Sequence, residues 1–158
     1  MSDESWPDGP IVVGVAWDFS ERLVVAAANL AAGLGLHLVC AFVDPASYLT
    51  EWEPGGSRTA LSLDPAANEE TDFPAGELLL RVEAVLGSPG AEWSFRVLNG
   101  DVAPALGRLA KSAGASLIIV GGRRPGILAA MDRFLEGSVS AVLVRSQGRP
   151  VLIVPGCA

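Results

Sequence analysis

The chain is poor in the groups that most often carry chemistry. Its single histidine, His37, stands in an otherwise apolar stretch. A Ser-His-Asp relay would have to route through that residue, and no nucleophile motif accompanies it, so His37 reads as structural. Of two cysteines, Cys40 lies in an apolar run and Cys157 in the C-terminal tail, without a disulfide framework or zinc-ligand spacing. Both are expected to be reduced thiols, with no metal. Lysine is nearly missing: Lys111 is the only one among eleven basic residues, against eighteen acidic ones and a formal net charge of -7. Such a surface repels a phosphate backbone, which excludes a general nucleic-acid binder. No apolar run approaches the roughly 20 residues of a membrane span. The acidic N-terminus, Met1-Ser2-Asp3-Glu4-Ser5-Trp6, has no signal-peptide core. A soluble, cytoplasmic protein without membrane partners is therefore expected. Glycines opening strand one in the dinucleotide fashion are also absent, which disfavours a nicotinamide dehydrogenase.

What is present is a regular alternation of strands and helices. With 158 residues, half of them hydrophobic, residues 1–158 fit one domain with a full core. Ile11 to Trp17 is a nearly continuous apolar run, the pattern of a strand buried on both faces. Asp18-Phe19-Ser20-Glu21 has the spacing of a capping box, and Arg22 to Leu34 follows as a helix ended by Gly33 and Gly35. Leu36 to Val43 is a second strand and Phe73 to Leu86 a second helix, with Pro74 near its start. Glu92 to Leu98 is a third strand, and Asn99-Gly100-Asp101 turns into a helix over Val102 to Ala113. Leu117 to Val120, a helix within Gly137 to Ser146, and Val151 to Val154 complete the series. Strands alternating with helices predict an α/β fold with a doubly wound parallel sheet. Between them, 44–72 is long and rich in Pro, Gly, Ser and acidic residues, which predicts a loop-like, flexible insert. Its large apolar residues, Tyr48, Leu49 and Trp52, are expected to pack back on the nearest helix, the alternative being a lid or partner contact over the crevice.

One stretch has the parts of an anion site. Gly121-Gly122-Arg123-Arg124-Pro125-Gly126 leaves a strand, and Gly137-Ser138-Val139-Ser140 opens a helix. Glycine-freed amides, a helix N-terminus and hydroxyls are what phosphate cradles are built from. Doubly wound sheets bind ligands at the carboxyl ends of their strands, where the order reverses. Asp18 and the Gly121 loop follow two such ends and are expected to be neighbours. Each residue also has a plainer role: Asp18 and Ser138 as helix caps, Gly121 and Gly122 as strand exits, and Arg123 and Arg124 as solvated charges.

Five segments in this order resemble the universal stress protein family in its small single-domain form. They are Ile11-Val12-Val13-Gly14-Val15 with Asp18-Phe19-Ser20, then Asn99-Gly100-Asp101-Val102-Ala103-Pro104, Ser116 to Gly121, Gly137-Ser138-Val139-Ser140, and Pro150 to Pro155. The resemblance implies a sheet of order 3-2-1-4-5, a homodimer, and in one subset a regulatory ATP site with Mg2+. Carried over, the nucleotide residues are Asp18, the backbone near Phe42 and Val43, Gly121, Gly122, Gly126, Gly137, Ser138, Val139 and Ser140, with Arg123 and Arg124 supplying cations. The family's ATP pattern spaces its glycines so that Arg124 and Ile127 stand where two of them belong. That departure keeps a second reading open, a nucleotide-independent dimeric interaction module. In either case no catalytic residue is expected, and at most slow ATP hydrolysis. The edge strand Val151-Leu152-Ile153-Val154, bounded by Pro150 and Pro155, is the expected dimer interface.

Overall fold

The computed structural model describes residues 8–44, 65–122 and 138–156, and for 65–74 the backbone alone. Its elements are β1 (Ile11–Val15), α1 (Glu21–Leu34), β2 (Leu38–Asp44), α2 (Pro65–Leu86) and β3 (Trp93–Asn99). There follow α3 (Val102–Ser112), β4 (Leu117–Gly121), α4 (Val139–Ser146) and β5 (Val151–Val154). The four strand pairings among the described residues are parallel, in the order β3-β2-β1-β4-β5 that the family resemblance implies.

The continuous apolar runs are explained by a core on each face of the sheet. Ile11, Val13, Val15, Cys40, Phe42 and Phe95 point to one side, where Leu23, Val24 and Ala27 of α1 and Leu78 and Val82 of α2 cover them. Val12, Val39, Ala41, Val43, Ile118 and Val120 point to the other, under Leu106 and Leu109 of α3 and Leu143 of α4. Each fully buried valine or leucine contributes about 1.5–3 kcal/mol, so both faces are needed to hold a sheet this small.

Two glycines serve stated geometric ends. Gly35, at φ 67°, stops α1 with its N–H on Ala32 O, while the N–H of Leu36 bonds Ala31 O. Gly9 lies so close to the turn before β4 that a Cβ there would stand 1.7 Å from the carbonyl oxygen of Gly114. The α4–β5 turn is stapled by side chains. Gln147 Nε2 donates to Leu143 O and Arg149 O at 3.0 and 2.8 Å, and Arg149 Nε donates to Ala115 O at 2.8 Å.

Two helix starts differ from expectation, and a third agrees with it. The N-cap of α1 is Ser20, extended at φ -81° and ψ 133° and without a side-chain cap bond, so Asp18 stands in the turn before the helix rather than at its cap. Helix α2 begins at Pro65, not Phe73, which places Pro74 in its interior. The run Ala66-Ala67-Asn68-Glu69-Glu70 explains the extension, because alanine and glutamate favour helix even where the composition as a whole looks like loop. Helix α4 begins at Val139, with Ser138 as its cap. Tyr48, Leu49 and Trp52 lie outside the described residues. Among those described, no helix is long and apolar enough to cross a membrane.

Candidate functional site

The candidate site is where the sheet parts. β1 and β2 stay paired to the end of β1, at Val15↔Phe42, and β4 and β5 to the end of β4, at Gly121↔Val154. Between them the β1–β4 pairing stops at Val13↔Ile119, two residues before either strand ends. Right-handed connections leave these two strands to opposite faces, α1 to one and α4 to the other, so the crevice opens at the switch point. Gly14 stands at this parting, where a Cβ would meet Leu106 Cδ1 at 2.9 Å.

On the β1 side the chain turns at once. Phe19 N–H donates to Ala16 O at 3.0 Å, which makes Trp17 and Asp18 the two corner residues of a β-turn. Both corners are exposed, Trp17 at 45% of its surface, whereas Phe19 is buried beneath them. On the β2 side, Phe42 and Val43 are buried strand residues, so only their backbone can meet a ligand. Val43 lies past the last β1–β2 pair, which turns its β1-facing edge toward the parting.

On the β4 side, Gly121 is exposed and adjoins α1: a Cβ on it would lie 3.6 Å from Leu23 Cδ2. The Gly121 exit thus lies against the first turn of α1, the helix that follows the Trp17-Asp18 turn in the chain. Gly122 corrects its sequence reading. Its N–H donates to Val154 O at 2.7 Å, continuing the β4–β5 ladder, so this amide already has its partner and is not a free cradle donor. Arg123, Arg124, Gly126 and Gly137 lie outside the described residues.

Because α4 leads back to the start of the parallel strand β5, its first turn lies at the carboxyl end of the sheet. Ser138 Oγ accepts the N–H of Ala141 at 3.2 Å and lies 3.0 Å from Ser140 Oγ. The cap therefore takes up one of the first-turn amides. Helix geometry leaves those of Val139 and Ser140 without a carbonyl four residues back, with two hydroxyls beside them. This is a small donor cluster at a helix N-terminus, the kind of end that favours an anion.

Two residues at the crevice carried no sequence signal. Trp17 had read as the end of strand one, and it proves to be a turn corner. Arg81, from α2, donates from Nη1 to the carbonyl oxygen of Trp17, and its Cζ lies 4.7 Å from the centroid of the Phe19 ring. Nothing local marks a contact across 64 residues. His37 is at the opposite end of the sheet, with Nδ1 2.8 Å from Ala91 O and Nε2 2.9 Å from Ser94 Oγ. It pins the loop before β3 and takes no part in the crevice. Cys40 is fully buried in β2, and burial pushes its thiol up to about 12, so it is no nucleophile at neutral pH. Among the described residues no cluster of His, Cys, Asp and Glu could hold a metal ion.

Comparison with known proteins agrees with this architecture. The model of the universal stress protein family matches residues 9–155. A crystal structure of a universal stress protein in complex with cAMP is 26% identical, with 94% of this chain and 98% of that chain covered and a TM-score of 0.60. A universal stress protein from Archaeoglobus fulgidus is 22% identical over 92% of this chain and 97% of that one, at a TM-score of 0.61. One from the same organism in complex with dAMP is also 22% identical, over 92% and 96%, at 0.54. No curated protein sequence is significantly similar to the chain.

Proposed function

The chain belongs to the universal stress protein family, and we propose that it binds an adenine nucleotide at the carboxyl ends of β1 and β4 as a regulatory ligand. The observation that carries this reading is the parting of β1 from β4 two residues early, at the end of the sheet where α4 also begins, with Ser138 as its cap. The cAMP complex of a relative 26% identical over nearly its whole length supports the choice of an adenine nucleotide.

In this reading Asp18, exposed at the turn corner, accepts hydrogen bonds from the sugar hydroxyls. The backbone past Phe42 and Val43 meets the base. The amides of Val139 and Ser140 and the hydroxyls of Ser138 and Ser140 hold the phosphates, with Gly121 allowing close approach. Arg123, Arg124, Gly126 and Gly137 adjoin these residues in sequence and are proposed to complete the site. Mg2+ accompanies a triphosphate, because Glu136 stands next to Gly137 and would otherwise repel it. The protein acts as a switch, with at most slow ATP hydrolysis.

We also propose a homodimer through β5. That strand is an edge, pairing among the described residues to β4 alone. It exposes Leu152 at 41% and Ile153 at 50%, and Val144 of α4 is exposed at 62%. Edges with apolar side chains invite pairing with a copy. One observation favours the second reading, a nucleotide-independent interaction module: the Gly122 amide belongs to the ladder rather than to a cradle.

The deciding experiment is to denature the purified protein, analyse the released small molecules by absorbance and mass spectrometry, and titrate the stripped protein calorimetrically. AMP, cAMP and ATP with and without Mg2+ are the ligands. Bound adenine nucleotide or saturable heat supports the site. Neither, at millimolar ligand, leaves the interaction module.

A further inference from the structure

We infer that Arg81 is a positioning residue for the nucleotide crevice, locking the peptide between Trp17 and Asp18 in one of the two orientations a β-turn allows. The inference rests on the nucleotide reading above and adds to it a residue on a different element, far from the expected motif.

The central peptide of a β-turn is its least constrained part. The bond from Phe19 N–H to Ala16 O closes the ends of this turn, but it does not fix the plane between the corners. Rotating that plane by about half a turn interconverts the common turn types. In a trans peptide the C=O and the next N–H point to opposite sides, so fixing one fixes the other. Here the Trp17 carbonyl accepts from Arg81 Nη1 and is drawn toward α2. The Asp18 N–H is consequently directed away from α2, and the same peptide plane sets the backbone from which the Asp18 carboxylate projects. The guanidinium is itself held in place, its Cζ 4.7 Å from the centroid of the Phe19 ring, and Phe19 is anchored in the core. Core, ring, guanidinium and carbonyl form a chain that ends at the orientation of Asp18.

Arg81 touches no ligand in this scheme; it acts through Asp18. Its removal should weaken binding without disturbing the far side of the site. Arg81→Met keeps a side chain against Phe19 and removes every donor, whereas Arg81→Lys keeps one cationic donor. Measured by calorimetry with AMP and ATP, Arg81→Met should bind about ten-fold more weakly, the range of one charge-assisted hydrogen bond, and Arg81→Lys should fall between it and the parent. A merely structural loss would lower binding regardless of Asp18. In the Asp18→Ala background, therefore, Arg81→Met should change affinity less than about two-fold, the mark of residues acting as a unit. In the ligand-free protein, amide signals of 17–19 should shift in Arg81→Met, while those of Val139 to Ala141 stay in place.

A parent that binds no adenine nucleotide overturns the nucleotide reading and this inference with it. A parent that binds, with Arg81→Met binding equally well, overturns this inference alone. So does an equal loss in the presence and absence of the Asp18 carboxylate, or an unshifted 17–19 turn.

Discussion

Ser138 separates a helix cap from a phosphate cradle, because the two roles respond with opposite sign to the same substitutions. Its hydroxyl oxygen accepts the Ala141 N–H at 3.2 Å in a half-buried position. Ser138→Ala leaves that amide without its side-chain partner, at a cost of about 1 kcal/mol within a range of roughly 0.5–2. With an unfolding entropy near 2.1 cal/mol/K per residue, the 158 residues give about 0.33 kcal/mol per degree, so the melting temperature should fall by about 3 °C. Ser138→Asp keeps a capping oxygen and adds a negative charge at the positive end of α4, worth about 0.3–1 kcal/mol. Its ligand-free melting should match or exceed the parent's. In the presence of nucleotide the order reverses: Ser138→Asp sets a carboxylate against the phosphates and should abolish binding, while Ser138→Ala should only weaken it. Thermal melting with and without millimolar Mg-ATP, alongside calorimetry, reads both effects. If Ser138→Ala melts with the parent, the cap reasoning fails. If Ser138→Asp binds as tightly as the parent, the phosphates are not at this helix.

At the sheet's amino end, Gly9→Ala would push a Cβ to 1.7 Å from Gly114 O. It should cost about 3 kcal/mol or more by urea unfolding. Gly33→Ala, in open space on α1, should instead add about 0.5–1 kcal/mol; equal midpoints for the two variants would refute the packing at Gly9. Burial raises the Cys40 thiol to about 12, so the folded state favours the neutral form. The associated stability is intact below about pH 8.5 and is lost at up to about 1.4 kcal/mol per pH unit as pH rises toward 12. Cys40→Ala should flatten that alkaline slope while lowering stability at pH 7, and an unchanged slope in denaturant midpoints from pH 8.5 to 10.5 would count against it. Ile153→Lys should convert a light-scattering dimer into monomer at micromolar concentration, with melting nearly unchanged in the monomer; a persistent dimer places the interface elsewhere.

The alternation of elements was legible in the residues because each strand must be covered on both sides. Ile11-Val12-Val13 can be continuously apolar only if Val12 and its neighbours face different helices, as they do. Local chemistry likewise settled where α1 stops, at Gly35, and that Ser138 stands at the head of α4. The strand order followed from the family resemblance and from rules of handedness, and the structure bears it out. The start of α2 was misplaced because helix propensity and loop-like composition pointed in opposite directions over 65–72. What no local pattern could supply is whatever depends on groups distant in sequence. The early end of the β1–β4 pairing is a matter of how two strands diverge in space. The engagement of the Gly122 amide depends on where β5 returns, more than thirty residues later. The guanidinium on the Trp17 carbonyl depends on which turn of α2 packs beside Phe19. Hydrogen-bond partners are decided by position within a few tenths of an ångström, and only the packed tertiary structure sets position that finely.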